Sequence, residues 1–289
     1  RRAEMSEARS VYQESSGEWA WPWVRLAHDK QKQGAPITAI GGKPTERATR
    51  VQPKVSSLWT GGFSDLSPSD FGTPEFHGRF HPEIVAQAIL RYIPPERRRD
   101  ALIWDPMAGG GTTGDVAKEF GVACAMTDIN PTRLDIRRFD ATAGAERAWR
   151  MIGGRPVDLL ILHPPYWSAV KYDTGGDLAD TAEEFAAWFS RIATTTVPLV
   201  RHGGYIVFVV GNLYRDKELH PLDLYCIPVL RVMGLVIKGR VAKDFGETKG
   251  GWKRHAAINT HRALKFGYWR YDWEQVFYLK KLGEHFPAD

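Results

Sequence analysis

Three stretches of the 289-residue chain combine reactive residue types with a spacing that could put them to work. The first is Asp105-Pro106-Met107-Ala108-Gly109-Gly110-Gly111-Thr112-Thr113. Consecutive glycines let a backbone turn tightly and approach a ligand, and a helix starting behind them presents unpaired N–H groups. No Gly-Lys-[Ser/Thr] follows, so this is not a phosphate loop. The acid that opens it favours a ligand bearing hydroxyls or an amine; a plain glycine turn is the competing reading. The second is Asp128, with Ile129 beside it, 23 residues after Asp105. A dinucleotide fold places an acid on ribose hydroxyls at about that spacing, while an Asp ahead of Asn-Pro also serves as a cap or turn residue. Asp140 is a softer candidate for an adenine amino group, or simply a surface carboxylate. The third stretch is His163-Pro164-Pro165-Tyr166-Trp167. Two prolines hold the backbone extended and remove two amide donors, leaving the carbonyls of His163 and Pro164 as acceptors beside two flat aromatic faces. Such a corner suits a planar heterocycle with an exocyclic amino group, and a Pro-Pro turn with core aromatics is the alternative.

The elements around these stretches must bring them together. His81-Pro82 reads as a helix start with proline at the first helical position, and Ile84, Val85, Ala88, Ile89 and Tyr92 then share one helical face. Strands are expected at 101–104, 122–129, 157–162, 205–210, 235–241 and 273–279, with helices at 113–120, 145–152, 181–197 and 221–233 between them. Thr181 with Glu184 forms a capping-box signature. Alternating strands and helices, several strands apolar on both faces, predict an α/β fold: a doubly wound, mostly parallel, Rossmann-like sheet with helices on both sides. In such a sheet a ligand lies beyond the carboxyl ends of the strands near the topological switch point. All three stretches close predicted strands.

These residues resemble the S-adenosylmethionine-dependent amino-methyltransferases of DNA, which modify cytosine N4 or adenine N6. That family's glycine motif, Asp-Pro-Phe-x-Gly-x-Gly-Thr, is matched from Asp105 to Thr112 except that Met107 stands for Phe. Its [Asp/Asn/Ser]-Pro-Pro-[Tyr/Phe/Trp] motif is matched except at His163, and Phe80-His81-Pro82 sits where the family places Phe-His-Pro. The likeness spans roughly residues 76 to 280. It implies S-adenosylmethionine as cofactor, held by Phe80, His81, Pro82, Asp105, Pro106, Met107, Gly109, Gly111, Thr112, Thr113, Asp128, Ile129 and Asp140. It implies a base flipped out of duplex DNA, with its amino N–H groups bonded to residue 163 and the Pro164 carbonyl. Tyr166 would stack on the base and Trp167 extend that wall. DNA methylation of the restriction–modification kind would follow. An uncharged His163 followed by Trp167 and Tyr172 tilts the target toward cytosine N4. Neutral imidazole accepts a hydrogen bond and imidazolium does not, so activity is expected to fall as pH drops through the histidine's pKa. Two other readings stay open: an RNA amino-methyltransferase of the tRNA guanine N2 type, and a catalytically silent nucleic-acid-binding module on the same fold.

Composition sets the outer bounds. The chain is 43% hydrophobic and 12% aromatic, enough to bury a core, and its net charge of +5 fits an anionic partner without requiring one. Two cysteines are too few for a disulfide scaffold or a Cys-rich zinc module, no His or Cys cluster has metal-ligand spacing, and no metal is expected. The chain begins with Arg1 rather than Met, read as trimming; the start does not resemble a signal peptide and no apolar run approaches about 18 residues. No membrane association is expected, and the reading is a soluble, reduced, cytoplasmic protein, nucleoid-associated if bacterial or phage. Residues 1–75 read as an irregular arm with parts packed on the body, and 76–289 as the catalytic domain. Within it, 246–272 is a long connection that mixes Lys249, Lys253, Arg254, Arg262 and Lys265 with Trp252 and other aromatics. Cations for phosphates and rings for unstacked bases predict a target-recognition insertion there, with 211–223 as a second contact loop. A solvated basic loop is the plainer alternative.

Overall fold

A computed structural model describes residues 42–60, 66–73, 76, 80–166, 179, 181–215, 217–244, 260–261, 263–269 and 273–283. Among these residues the centre is a sheet of eight strands, built from β1 (Leu58–Trp59), β2 (Leu102–Asp105), β3 (Ala123–Asp128), β4 (Arg137–Arg138), β5 (Val157–Leu162), β6 (Val200–Val210), β9 (Leu235–Asp244) and β10 (Trp273–Lys281). A separate hairpin, β7 (Asn212–Arg215) with β8 (Glu218–Pro221), follows β6. The helices are α1 (Glu46–Arg50), α2 (Glu83–Tyr92), α3 (Thr112–Glu119), α4 (Ala145–Met151), α5 (Ala182–Thr196) and α6 (Leu222–Val232).

Across the sheet the order is β1-β9-β10-β6-β5-β2-β3-β4. Strands β6, β5, β2, β3 and β4 run parallel, and β10 enters antiparallel between β6 and β9. The chain leaves β2 toward β3 on one side and later returns to β5 on the other, so the switch point falls between β2 and β5. The fold is therefore the doubly wound α/β sheet read from the sequence, with one reversed strand that the alternation of elements does not reveal.

Side chains explain why this sheet has helices on both faces. On β2, Leu102 and Trp104 enter one core and Ile103 the other; on β5, Leu160 and Leu162 oppose Leu159 and Ile161; on β6, Ile206 and Phe208 oppose Val207 and Val209. Successive strand residues point to opposite faces, so a strand apolar at every position must be covered twice. The first core is closed by Trp149 of α4, Phe185 and Phe189 of α5 and Leu230 of α6; the second by Ile84 and Ile89 of α2 and by Val116 of α3. The α5 start carries the anticipated capping box, Thr181 Oγ1 accepting from the Glu184 amide and the Glu184 carboxylate from the Thr181 amide, each at 3.2 Å.

Residues 42–60 are joined to this body. The Gly42 amide donates to the Gly121 carbonyl and the Thr45 amide to that of Glu119. Ala48, Val51 and Trp59 are buried in the second core, and β1 pairs parallel with β9. Pro82 occupies the cap position of α2, one residue earlier than the sequence pattern placed it. Among the described residues no helix is long and apolar enough to cross a membrane.

Candidate active site

All parallel strands deliver their carboxyl ends to one edge of the sheet. Asp105 closes β2, Asp128 closes β3, and Leu162 closes β5 just before His163. Because β2 pairs with both β3 and β5, the glycine turn, Asp128 and the double-proline corner leave adjacent strands at the same edge. Since β9 runs parallel to β6 and β10 runs against both, Lys243 near the end of β9 and Glu274 at the start of β10 reach that edge too.

The glycine turn is held from beneath by two acids. Asp105, 1% exposed, accepts the Met107 amide at 3.0 Å and the Thr113 hydroxyl at 2.5 Å. Burial is the main force on it and lifts its pKa to about 7; Asp128 pushes the same way, against the two hydrogen bonds. Asp128 accepts the Gly109 amide on one oxygen and the Asn130 amide on the other, both at 2.9 Å. It thus fills the turn role that competed with the ribose role, yet each oxygen keeps a lone pair for a hydroxyl. Burial raises its pKa as well.

Gly109 and Gly111 have φ of 49° and 84°, the left-handed region that glycine occupies without steric cost. A Cβ on Gly109 would lie 2.5 Å from Cε1 of Phe76, and one on Gly111 would lie 2.6 Å from Nη1 of Arg133. Arg133 pairs with Asp115 and Asp135, and the Gly110 carbonyl accepts both from it and from the Thr73 amide. The turn is therefore rigid. Among the described residues the amides of Gly110, Thr112 and Thr113 have no acceptor, and the helix they open has no side-chain cap. Three free N–H groups at a helix start suit a carboxylate, while the acids nearby suit an ammonium group or hydroxyls. That donor set fits the amino-acid and ribose portions of S-adenosylmethionine.

At the double-proline corner Pro164 is buried and His163, Pro165 and Tyr166 are partly so. The His163 Nε2 lies 3.2 Å from the Tyr166 hydroxyl, which donates to Glu274 Oε2 at 3.0 Å. Glu274 Oε1 in turn accepts from Lys243 Nζ at 2.9 Å, and both of these residues are 4% exposed. Phe80 packs edge-on to the His163 ring with centroids 5.2 Å apart, so the Phe-His-Pro segment touches the corner. Burial lowers the His163 pKa, with Lys243 adding to the shift and Glu274 opposing it. His81 accepts the Glu83 amide at Nδ1 just ahead of α2, and burial takes its pKa to about 3.

Of the other sequence-derived candidates, Pro106 is buried, Met107 half-buried and Ile129 about half-exposed. Asp140 faces outward, holds a turn through Thr142, and borders a groove of about 560 Å³ lined also by Arg137, Arg138, Arg147 and Arg150. Lys265 lies beside Phe266. Trp167, Tyr172, Lys249, Trp252, Lys253, Arg254 and Arg262 lie outside the described residues. Sequence reasoning missed Thr73, Phe76, Arg133, Lys243 and Glu274. For Glu274 a signal existed, a charge just ahead of an apolar run, whereas Lys243 stands among Lys238, Arg240 and Asp244 on its strand and has none. Among the described residues no cluster of His, Cys, Asp or Glu could hold a metal ion.

No family model matches the chain, and no curated protein matches it. Solved structures do. TrmN from Thermus thermophilus is 18% identical over 71% of this chain and 50% of its own, with a TM-score of 0.42. NSun6 from Pyrococcus horikoshii is 13% identical over 78% and 57%, with a TM-score of 0.45. A putative DNA modification methylase, also from Thermus thermophilus and complexed with S-adenosyl-L-methionine, is 18% identical over 46% and 51%, with a TM-score of 0.31. The chain spans about half the length of TrmN and of the putative methylase.

Proposed function

We propose that this chain is an S-adenosylmethionine-dependent methyltransferase acting on an exocyclic amino nitrogen of a nucleobase, in DNA first of all. The observation that carries the reading is the pairing, on adjacent strands at one edge, of a glycine turn with free amides and a corner whose acceptors stand beside an aromatic ring. The amides of Gly110, Thr112 and Thr113 would hold the donor's carboxylate, Asp105 its ammonium, and Asp128 a ribose hydroxyl. The donor supplies an electrophilic methyl carbon.

A base amino group is a weak nucleophile because its lone pair delocalises into the ring. Hydrogen bonds from its two N–H groups to His163 and to the Pro164 carbonyl would favour a pyramidal nitrogen, with the lone pair directed away from the ring. Tyr166 supplies the stacking face. The chain's own contribution is then position and preorganised polarity.

A second reading, an RNA substrate, draws on the outer surface. Tyr214 of β7 stacks on Tyr268 with centroids 3.9 Å apart, and Trp269 is 92% exposed. Exposed rings suit unpaired bases of either nucleic acid. Transfer of a radiolabelled methyl group to duplex DNA, single-stranded DNA and tRNA separates the readings. Label on duplex DNA upholds the proposal, label on tRNA alone replaces DNA with RNA, and label on none favours a silent binding module. Calorimetry with the demethylated donor checks the cofactor independently, and absence of binding would end the methyltransferase reading.

A further inference from the structure

The His163 corner is tied to a buried ion pair two and three strands away across the sheet, and the direction of each hydrogen bond follows from elementary chemistry. Lys243 and Glu274 face each other in the β9–β10 register. Beside a lysine ammonium at 2.9 Å, Glu274 is a carboxylate, and a carboxylate only accepts. The single proton of Tyr166 therefore goes to Glu274 Oε2. The phenol oxygen is left to accept, and what lies 3.2 Å from it is His163 Nε2. A neutral imidazole has one N–H, so that proton sits on Nε2 and the lone pair sits on Nδ1. Among the described residues Nδ1 has no hydrogen-bond partner.

We infer that Lys243, Glu274 and the Tyr166 hydroxyl form a positioning relay that fixes the His163 tautomer and presents Nδ1 as the acceptor for the substrate's amino group. The inference rests on the proposed role of His163 as that acceptor. It gives Tyr166 a task besides stacking, and it explains why a charged pair is buried beside a corner that itself carries no charge. The opposite tautomer would point an N–H at the amino group and repel it.

The relay makes an unusual demand of one substitution. In Glu274→Gln the amide oxygen must serve Lys243, because an ammonium cannot accept, so the amide NH2 turns to Tyr166. The phenol proton then points at His163 Nε2, which has to become the acceptor, and the ring proton moves to Nδ1. Nitrogen-15 NMR of the imidazoles in the full chain, recorded above the pH range in which His163 protonates, reads this directly. The parent protein should show Nε2–H for His163 and Glu274→Gln should show Nδ1–H. In Tyr166→Phe the link is cut, and His163 should return to the mixture of free imidazole. Tyr166→Phe with Glu274→Gln should do the same, undoing the inversion.

On the nucleic acid that accepts methyl groups, Glu274→Gln should lower kcat by at least about 10²-fold, as expected for a wrong histidine tautomer, with KM for the donor unchanged. The double variant should recover part of that loss, which a purely structural role for the ion pair would not allow. Nδ1–H in the parent protein overturns the inference even if no variant folds. So does an unchanged tautomer in Glu274→Gln, or an inverted one with undiminished kcat. The NMR result holds whether or not the methyl-transfer reading survives, so the two can fail separately.

Discussion

At the scale of single residues, Asp105, fully buried, and His163, partly so, are both groups whose protonation decides what they can do. A folded pKa of about 7 for Asp105, against 3.8 for a free carboxyl, means that the native state binds the proton more tightly than the unfolded chain. Stability attributable to this group is then present at low pH, declines as pH rises from about 4 to about 7, and is flat above. Asp105→Asn should remove that dependence. The amide can still accept from Met107, and the Thr113 hydroxyl can rotate to accept in its turn. Above pH 7 the variant should gain stability on the order of 1–4 kcal/mol in urea unfolding, while losing about tenfold or more in affinity for the demethylated donor. A loss of stability there would make the carboxylate a structural necessity. For His163 the sign runs the other way. Burial and Lys243 favour the neutral ring over the opposition of Glu274, with the uncharged Phe80 and Tyr166 rings packed beside it. The acceptor form thus persists below the ordinary value of 6.5, and the acid limb of single-turnover methyl transfer at saturating donor should lie below pH 6.5. A limb at or above that value, or none at all down to acid unfolding, contradicts a direct acceptor role.

Among elements, the seat of α3 on β3 controls where the glycine turn points. A Cβ on Gly114 would lie 2.4 Å from both Cε and Sδ of Met126, closer than real side chains pack. Gly114→Ala gains about 1 kcal/mol of helix propensity but must displace a methionine in a filled core. A net loss of about 1–2 kcal/mol is expected, small because methionine repacks easily. Met126→Ala should remove the clash, so the two substitutions together should cost less than their separate effects added, as a double-mutant cycle in urea would read. Strict additivity would mean the helix simply shifts. The elements around the candidate site were legible beforehand because each declares itself locally: β2, β5 and the second half of β6 as apolar runs bounded by Gly or Pro, α5 by its capping box. Two-residue strands such as β1 and β4 contain no period to read. The direction of β10 is a property of the whole sheet, as is the meeting of Lys243 with Glu274, which depends on a register between strands separated by a long connection. For the same reason Asp105 and His163 could be picked out by motif and strand end, whereas Phe76 and Arg133 reach the glycine turn from segments with no signature of their own.

For the molecule as a whole, the winding of the sheet puts several separate segments at the edge where the proposed chemistry would sit. The hairpin β7–β8 leaves the end of β6, and residues 260–269 lead into β10, which starts at that edge. Among the described residues Tyr214 of the hairpin stacks on Tyr268, and Leu264, Phe266 and Trp269 of the same segment as Tyr268 are 81%, 53% and 92% exposed. Exposed apolar and aromatic side chains close together in the chain, on the segment that leads to that edge, mark a surface meant to be covered. With Lys265 among them, it has the rings and the charge that a nucleic acid needs. The two kinds of contact can be told apart by salt. Trp269→Ala should weaken binding of a labelled single-stranded oligonucleotide by about 1–3 kcal/mol, nearly equally at low and high salt, because stacking releases no counterions. Lys265→Ala should weaken binding mainly at low salt and reduce the slope of log affinity against log salt by about 1, the signature of one lost phosphate contact. Neither should change affinity for the demethylated donor, whose proposed cradle lies around β2 and β3. If both variants bound the oligonucleotide like the parent protein, this face would have no part in holding the substrate, and recognition would have to come from other segments at the same edge.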